Sequence, residues 1–270
     1  MVLLALLALT LSSCARPDWG DTLENQTAID DGRQLLAAMT AADAQCPVCR
    51  DADVNLTLKS SLKNAAASGY LLLRRPSWIK FVSSNPFGQP IVLAASDGVR
   101  FQQLLMLEKN YLHGQVFSYL AHNDLPLALA LGNWESWLTG GIGQVKAETA
   151  EVRPDRENRG LWFAWPLPRL PNGQDFRENN LWEHVLIDPA KHLLLTRIMS
   201  KEGDKVIIRF DYRDRQADGP CSQPGKIILS GFKGGGVLTL EFSSPQTPAE
   251  CPEESFWLKK PENFQEFYMP

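Results

Sequence analysis

Apolar residues recur at every second position through most of this chain, and at helical spacing in only two stretches. Val54, Leu56, Leu58 and Leu62 alternate with Asn55, Thr57 and Lys59, and Val206, Ile208, Phe210 and Tyr212 alternate with Lys205, Arg209 and Asp211. A period of two sends alternate side chains to opposite sides of a pleated strand, so each run predicts a strand with one buried face. Segments over 69–74, 78–83, 91–95, 99–107, 145–152, 161–165, 181–188, 192–199, 226–232 and 237–242 predict further strands, with Ser96-Asp97-Gly98 and Lys233-Gly234-Gly235-Gly236 as hairpin turns. Helical spacing is confined to residues 30–44 and to a mixed segment over 117–138. In the first, Asp30 or Asp31 is the cap and Leu35, Leu36 and Met39 form the apolar stripe. In the second, Asn123 or Asp124 is the cap, with Leu127, Leu131, Trp134 and Leu138 on one side and Gly140-Gly141 as the stop. So many antiparallel strands with so few helices exclude a parallel α/β fold. The expected fold class is α+β: a strongly curved antiparallel sheet, an incomplete β-barrel of about 11–12 strands, with helices covering its concave face.

The N-terminus breaks the pattern. Val2 to Leu11 is almost wholly apolar and ends in Leu11-Ser12-Ser13-Cys14. The run is too short for a bilayer span, which takes about 20 residues. It resembles the apolar core of a secretory signal, and small residues followed at once by cysteine resemble a lipoprotein-processing site, in which the thiol is acylated. No Lys or Arg precedes the run, a departure from that pattern. The expected organisation is a lipoprotein signal peptide at 1–13, lipid attachment at Cys14, a flexible polar tether over 14–29, and a single domain over 30–270.

At 44% hydrophobic and 21% charged, the 270 residues can bury one sizeable core. A net charge of -4 provides no basic field, which argues against nucleic acid as a partner. Beyond Cys14 there are four cysteines, an even number that favours disulfides in an exported chain. Cys221 and Cys251 flank the C-terminal hairpin, whose open end would bring them together; closing a loop of about 30 residues is worth roughly 3–4 kcal/mol. Cys46-Pro47-Val48-Cys49 is open to three readings: an internal structural disulfide, a redox pair, or a zinc site that draws on all four cysteines. Its helix-motif-strand order reverses that of thioredoxin-like sites, and Arg50 in place of His excludes c-type haem attachment.

Chemistry for catalysis is sparse. His113, His122, His184 and His192 are scattered, and no HExxH, GxSxG, P-loop or strand-to-helix GxGxxG occurs. The expectation is a protein without enzymatic activity, cofactor or metal.

Arg75-Pro76-Ser77-Trp78-Ile79-Lys80-Phe81, the Asn85-Pro86-Phe87-Gly88 loop with the strand after it, and Trp137-Leu138-Thr139-Gly140 together resemble the LolB-like outer-membrane lipoprotein receptors of the LolA/LolB half-barrel group. The likeness spans roughly residues 30–243; the extra cysteines and the tail over 244–270 depart from it. It implies a hydrophobic cavity that accepts acyl chains of lipoproteins or lipids, with Leu56, Leu58, Trp78, Phe81 and Phe210 as lining. It also implies a membrane-insertion loop at Pro86, Phe87 and Gly88, with Phe87 in place of the receptors' exposed leucine. A periplasmic carrier protein becomes a candidate partner, and the membrane is reached through the N-terminal lipid. Ala15 after the cysteine, rather than Asp, implies the outer membrane, facing the periplasm. Two other classes stay open: an envelope sensor that binds a protein partner through the C-terminal hairpin, and a thiol-disulfide enzyme using Cys46 and Cys49.

Overall fold

The computed structural model describes residues 18–61, 64–168, 180–201, 205–215 and 221–270. The signal segment, Cys14 and Leu62 lie outside the described residues. The chain opens with α1 (Gln26–Ala44), followed by β1 (Cys49–Lys59), β2 (Asn64–Arg74), β3 (Trp78–Ser84), β4 (Pro90–Ser96), β5 (Arg100–Leu105) and β6 (Asn110–Gln115). Two short helices, α2 (Val116–His122) and α3 (Trp134–Thr139), flank a 3-10 turn at Leu127–Leu131. Then come β7 (Glu151–Pro154), β8 (Leu161–Pro166), β9 (Leu181–Asp188), β10 (Leu193–Lys201), β11 (Lys205–Arg215), β12 (Pro224–Phe232), β13 (Gly236–Gln246) and β14 (Gln265–Met269). All fourteen strands belong to one open sheet, ordered β14-β6-β5-β4-β3-β2-β1-β13-β12-β11-β10-β9-β8-β7. It is larger than the pattern predicts because residues 110–115 and 265–269 also pair. Every neighbouring pair is antiparallel except β14 with β6. That parallel pairing needs Gly114, since a Cβ there would collide with the Met269 backbone at 1.7 Å. Among the described residues no helix is long and apolar enough to cross a membrane.

Helix α1 begins four residues earlier than the pattern predicts, because Asn25, not Asp30 or Asp31, is the cap: its side chain accepts a hydrogen bond from the Ala28 N–H at 3.3 Å. The stripe is as expected, with Leu36 fully buried and Leu35 and Met39 packed beside it. The main core lies on the sheet face that receives the helices. It joins Leu36 of α1, Val116 and Leu120 of α2, and Trp137 and Leu138 of α3 to Val54, Leu71, Phe163, Val185, Ile208 and Phe210 of the strands.

The opposite face is covered in two places that the sequence pattern does not signal. Near β7 to β10 the cover is Trp19, only 1% exposed, stacked on His184 at 4.2 Å and edge-on to Trp162 at 5.3 Å. Burying an indole of this kind is worth roughly 4–6 kcal/mol of transfer free energy. The surrounding backbone is also tied down: Gly20 N–H donates to Pro154 O at 2.9 Å, Leu23 N–H to Val152 O at 3.1 Å, and Arg209 pairs with Asp18 at 2.5 Å. The tether expected over 14–29 is therefore fixed to the sheet from Asp18 onward, and α1 already starts at Gln26. Asp155 in the β7–β8 turn holds this corner. Burial alone would raise its pKa, but hydrogen bonds from Arg159 and the Trp162 indole prevail and bring it down to about 2.

Over β1 to β6 the cover is the C-terminal tail. Phe256 packs against Leu72 and Trp78, and Leu258 against Leu104 and Tyr111. Lys80 donates to Ser255 O at 2.6 Å, and Leu258 N–H donates to Gln102 at 2.7 Å. The tail is also covalently pinned, and here the sequence-based pairing is corrected. Cys46 is bonded to Cys221 and Cys49 to Cys251, with Cα atoms 5.3 and 6.2 Å apart. The reason is register: β1 pairs with β13, so Cys49 at the start of β1 shares one end of the sheet with the residues before β12 and after β13. The internal CxxC disulfide, the Cys221–Cys251 bond and the four-cysteine zinc site all give way to this arrangement. The same registers put the β7–β8 and β9–β10 turns at the disulfide end, and the β3–β4, β5–β6 and β12–β13 turns at the other.

A non-reducing tryptic digest checks the pairing. Cleavage leaves Cys46 and Cys49 in one peptide, so mass spectrometry should detect that peptide joined to two others at once; a Cys221–Cys251 pair free of it would contradict the arrangement.

Candidate functional site

The mixed segment over 117–138, expected to carry a helix capped at Asn123 or Asp124, is three pieces, because Pro126 and Gly132 interrupt it. Asn123 sits after α2 rather than capping a following helix, its side-chain amide donating back to Tyr119 O at 2.8 Å. Asp124 then turns the chain at a positive φ of 55°. The broken path does not fill the space above the strands. Between the segment and the sheet lies a cavity of about 340 Å³. Ile79, Phe81 and Phe101 form its strand side, and Tyr119, Leu125 and Trp134 its helical side. Among the described residues its polar lining is Ser96, Gln102 and Gln103, together with the hydroxyl of Tyr119 and the indole N–H of Trp134.

Short helices leave most of their carbonyls without intrahelical partners. After α3 these are met by long polar side chains from the sheet. The Tyr212 hydroxyl donates to Trp137 O at 3.0 Å, Arg197 donates to Gly141 O at 2.6 Å, and Arg215 donates to Gly140 O at 3.4 Å. Arg197 is itself neutralised by Glu183 at 2.8 Å, both buried. A second charged group sits where α1, α3 and the β2–β3 turn meet. Arg75 lies 3.2 Å from Asp43 and 3.3 Å from Glu135, Arg50 lies 3.9 Å from Glu135, and Asp43 also accepts from Gly143 N–H at 2.9 Å. Burial raises the Glu135 and Glu183 pKa values despite the arginines beside them, and lowers those of Arg50 and Arg215. Burial likewise pushes Tyr212 up to about 12, so it stays a hydroxyl donor. The balance of desolvation against pairing makes this network costly to break from one side.

Of the residues expected to line a cavity, Phe81 does so. Leu56 and Leu58 lie on the same face but outside the cavity wall, Leu56 packed at the margin of the main core. Phe210 is wholly buried in that core, 6.0 Å from Trp137 and 6.5 Å from Tyr212. Trp78 is on the opposite face, under Phe256 and Trp257 of the tail, because it is out of phase with Ile79 and Phe81 along β3. Tyr119, Leu125, Leu129 and Trp134 are among the wall residues not expected as lining; of the four, only Trp134 belongs to the apolar stripe read in residues 117–138.

The loop Pro86, Phe87 and Gly88 is built as a rigid tip. Asn85 accepts from the N–H of Phe87 at 2.9 Å and of Gln89 at 3.0 Å, and its amide donates to Gln89 Oε1 at 3.0 Å. Gly88 takes the φ of 78° that closes the turn. Phe87 is 88% exposed, and Leu107 in the neighbouring β5–β6 turn is 79% exposed. Both project from the same end of the sheet. The C-terminal hairpin presents no free edge, since β13 pairs with β1 and β12 with β11.

No protein-family model and no curated protein sequence matches the chain. Solved structures match in fold. A domain named for outer membrane lipoprotein sorting from Vibrio parahaemolyticus superposes with a TM-score of 0.54 at 12% identity, over 84% of this chain and 97% of the other. A DUF1329 family protein from Desulfovibrio piger gives 0.54 at 9% identity, over 85% and 97%. A LolA superfamily protein from Nitrosomonas europaea gives 0.51 at 9% identity, over 83% and 97%. The chain therefore shares the open-sheet fold of these proteins.

Replacing Arg75 by Ala should destabilise the protein by roughly 3 kcal/mol, because Asp43 and Glu135 are left buried without their shared cation. Urea unfolding followed by tryptophan fluorescence measures this; a change within experimental error would show that the pairing contributes nothing.

Proposed function

We propose that the protein is a lipid-handling lipoprotein of the bacterial envelope, with the fold class of the LolA superfamily and the role of a LolB-like receptor. The observation that carries this reading is the apolar cavity between the sheet and the broken helical segment, about 340 Å³ and lined mainly by aliphatic and aromatic side chains. A space so poor in hydrogen-bonding groups suits a hydrocarbon chain, each methylene gaining about 0.8 kcal/mol on leaving water. Its volume equals that of about eleven water molecules, so it takes part of one acyl chain. Several chains at once, as the sequence-based reading expects, would require the helical segment to lift. The α3 carbonyls are held by hydrogen bonds rather than by packing alone, a form of attachment that can be exchanged for water.

On this reading Cys14 carries the anchoring lipid and the protein works at the periplasmic side of the outer membrane, receiving acylated cargo from a periplasmic carrier. Phe87 is the element that enters the acyl boundary of the bilayer, with Leu107 beside it as a second apolar contact. No catalytic step is assigned to any residue.

Two measurements test the proposal. Delipidated protein should displace or bind a fluorescent fatty acid, and Ala94→Trp, which fills the cavity from β4, should reduce that binding at least about tenfold while the circular dichroism spectrum is kept. Equal binding by both proteins would place the ligand elsewhere or nowhere. Phe87→Glu should leave fatty-acid binding intact and abolish transfer of an acylated peptide into vesicles. Undiminished transfer would refute the role of the tip.

A further inference from the structure

A second cleft, of about 350 Å³, opens at the disulfide end of the sheet, apart from the apolar cavity. Its walls are the last turns of α1, the residues after α3 and the β9–β10 turn, and Arg215 from the end of β11 lines it. Small residues make the room: Ala38, Ala42 and Ala190, with Gly140 and Gly141. Arg215 differs from the other buried arginines. Arg197 has Glu183 at 2.8 Å, and Arg75 has Asp43 and Glu135. Among the described residues Arg215 makes no ion pair. Its guanidinium is held only by backbone carbonyls: Leu194 at 3.1 Å, Gly140 at 3.4 Å, and Ser222. Burial pushes its pKa down, against an opposing effect of Tyr212 and with a smaller contribution from the like charge of Arg50. A second cation stands at the mouth, where Lys191 is 71% exposed and 4.0 Å from Asp188. Among the described residues Asp43 is the carboxylate on the wall, and it is already occupied by Arg75 and by the Gly143 N–H.

We propose that this cleft binds a phosphate group, with Arg215 as the inner counter-charge and Lys191 as the outer one. Two cations lining the same cleft as a carboxylate that is already paired suit a ligand with more than one negative charge and several acceptor oxygens. Phosphate meets that description, and a guanidinium matches its geometry. The group comes either as free phosphate or as a phospholipid headgroup, and the two share this chemistry.

The test is calorimetric titration of the folded protein at low ionic strength with inorganic phosphate and, separately, with dihexanoyl phosphatidylglycerol below its micelle concentration. Binding tighter than about 1 mM is expected for at least one of them. Lys191→Glu, on the surface, should weaken it roughly fivefold. Ala42→Phe should fill the cleft and remove binding, while Ala94→Trp in the apolar cavity should leave it unchanged, which separates this site from the lipid-handling reading. If both ligands bind, the phosphate alone suffices; if only the lipid binds, the headgroup is the source. Absence of binding to either, or binding indifferent to both Lys191→Glu and Ala42→Phe, would overturn the assignment. Should Ala42→Phe fail to fold, Lys191→Glu decides the matter alone.

Discussion

The carbonyl groups after α3 set the terms for the rest of the molecule. A helix of six residues cannot satisfy its own polar ends, and a buried carbonyl without a donor costs more than a typical hydrogen bond contributes. Here the donors come from the sheet, through Tyr212, Arg197 and Arg215. Of the two donor cations, Arg197 is accompanied out of water by the buried Glu183, while Arg215 is held by backbone carbonyls; Asp43, Arg75 and Glu135 form a separate charged group at the neighbouring junction. The helical segment is thus suspended over the strands by a polar frame at one end, and the apolar cavity occupies the part that the frame does not pull down.

An open sheet has two faces and two edges to protect, and the chain manages them by different means. One face takes the helices. The other is shielded by the two extremities of the described chain, Trp19 at one side and the tail from Glu253 to Phe264 at the other. The disulfides belong to this second task. Each spans most of the sequence, with separations of 175 and 202 residues, so each removes a great deal of freedom from the unfolded chain while fixing the point where the tail begins its path across β1 to β6. The last strand, β14, then covers the outer edge of β6.

Much of this fold is legible in the sequence because period-two alternation is a local signal. The strands over residues 181–188, 205–212 and 226–232 emerge nearly where the pattern puts them, as does the apolar stripe of α1. What is not legible depends on partners far along the chain. The disulfide pairing follows from β1 lying beside β13, a relation that no spacing between cysteines encodes. Trp78 and Phe81 look alike as strand aromatics, yet an odd separation sends them to opposite faces, one under the tail and one into the cavity. Trp19 did carry a warning: a tryptophan within an otherwise polar spacer is more expensive to leave in water than any residue around it. The exposed tip at Phe87 was readable because Asn, Pro and Gly define a tight turn by themselves.

The seating of Trp19 has a mechanical consequence. If Cys14 bears the lipid, only four Cα steps separate it from Asp18, a leash of about 14 Å at full stretch. So short a leash leaves the body no freedom to swing on its anchor; it must ride close to the bilayer with the β7–β8 corner lowermost. The strands then set the posture. Phe87 leaves the sheet at the opposite end of the strands from that corner, and β3 stands eight strand places away from β8, so an anchored molecule can bring both corner and tip to the same leaflet only by lying down along it.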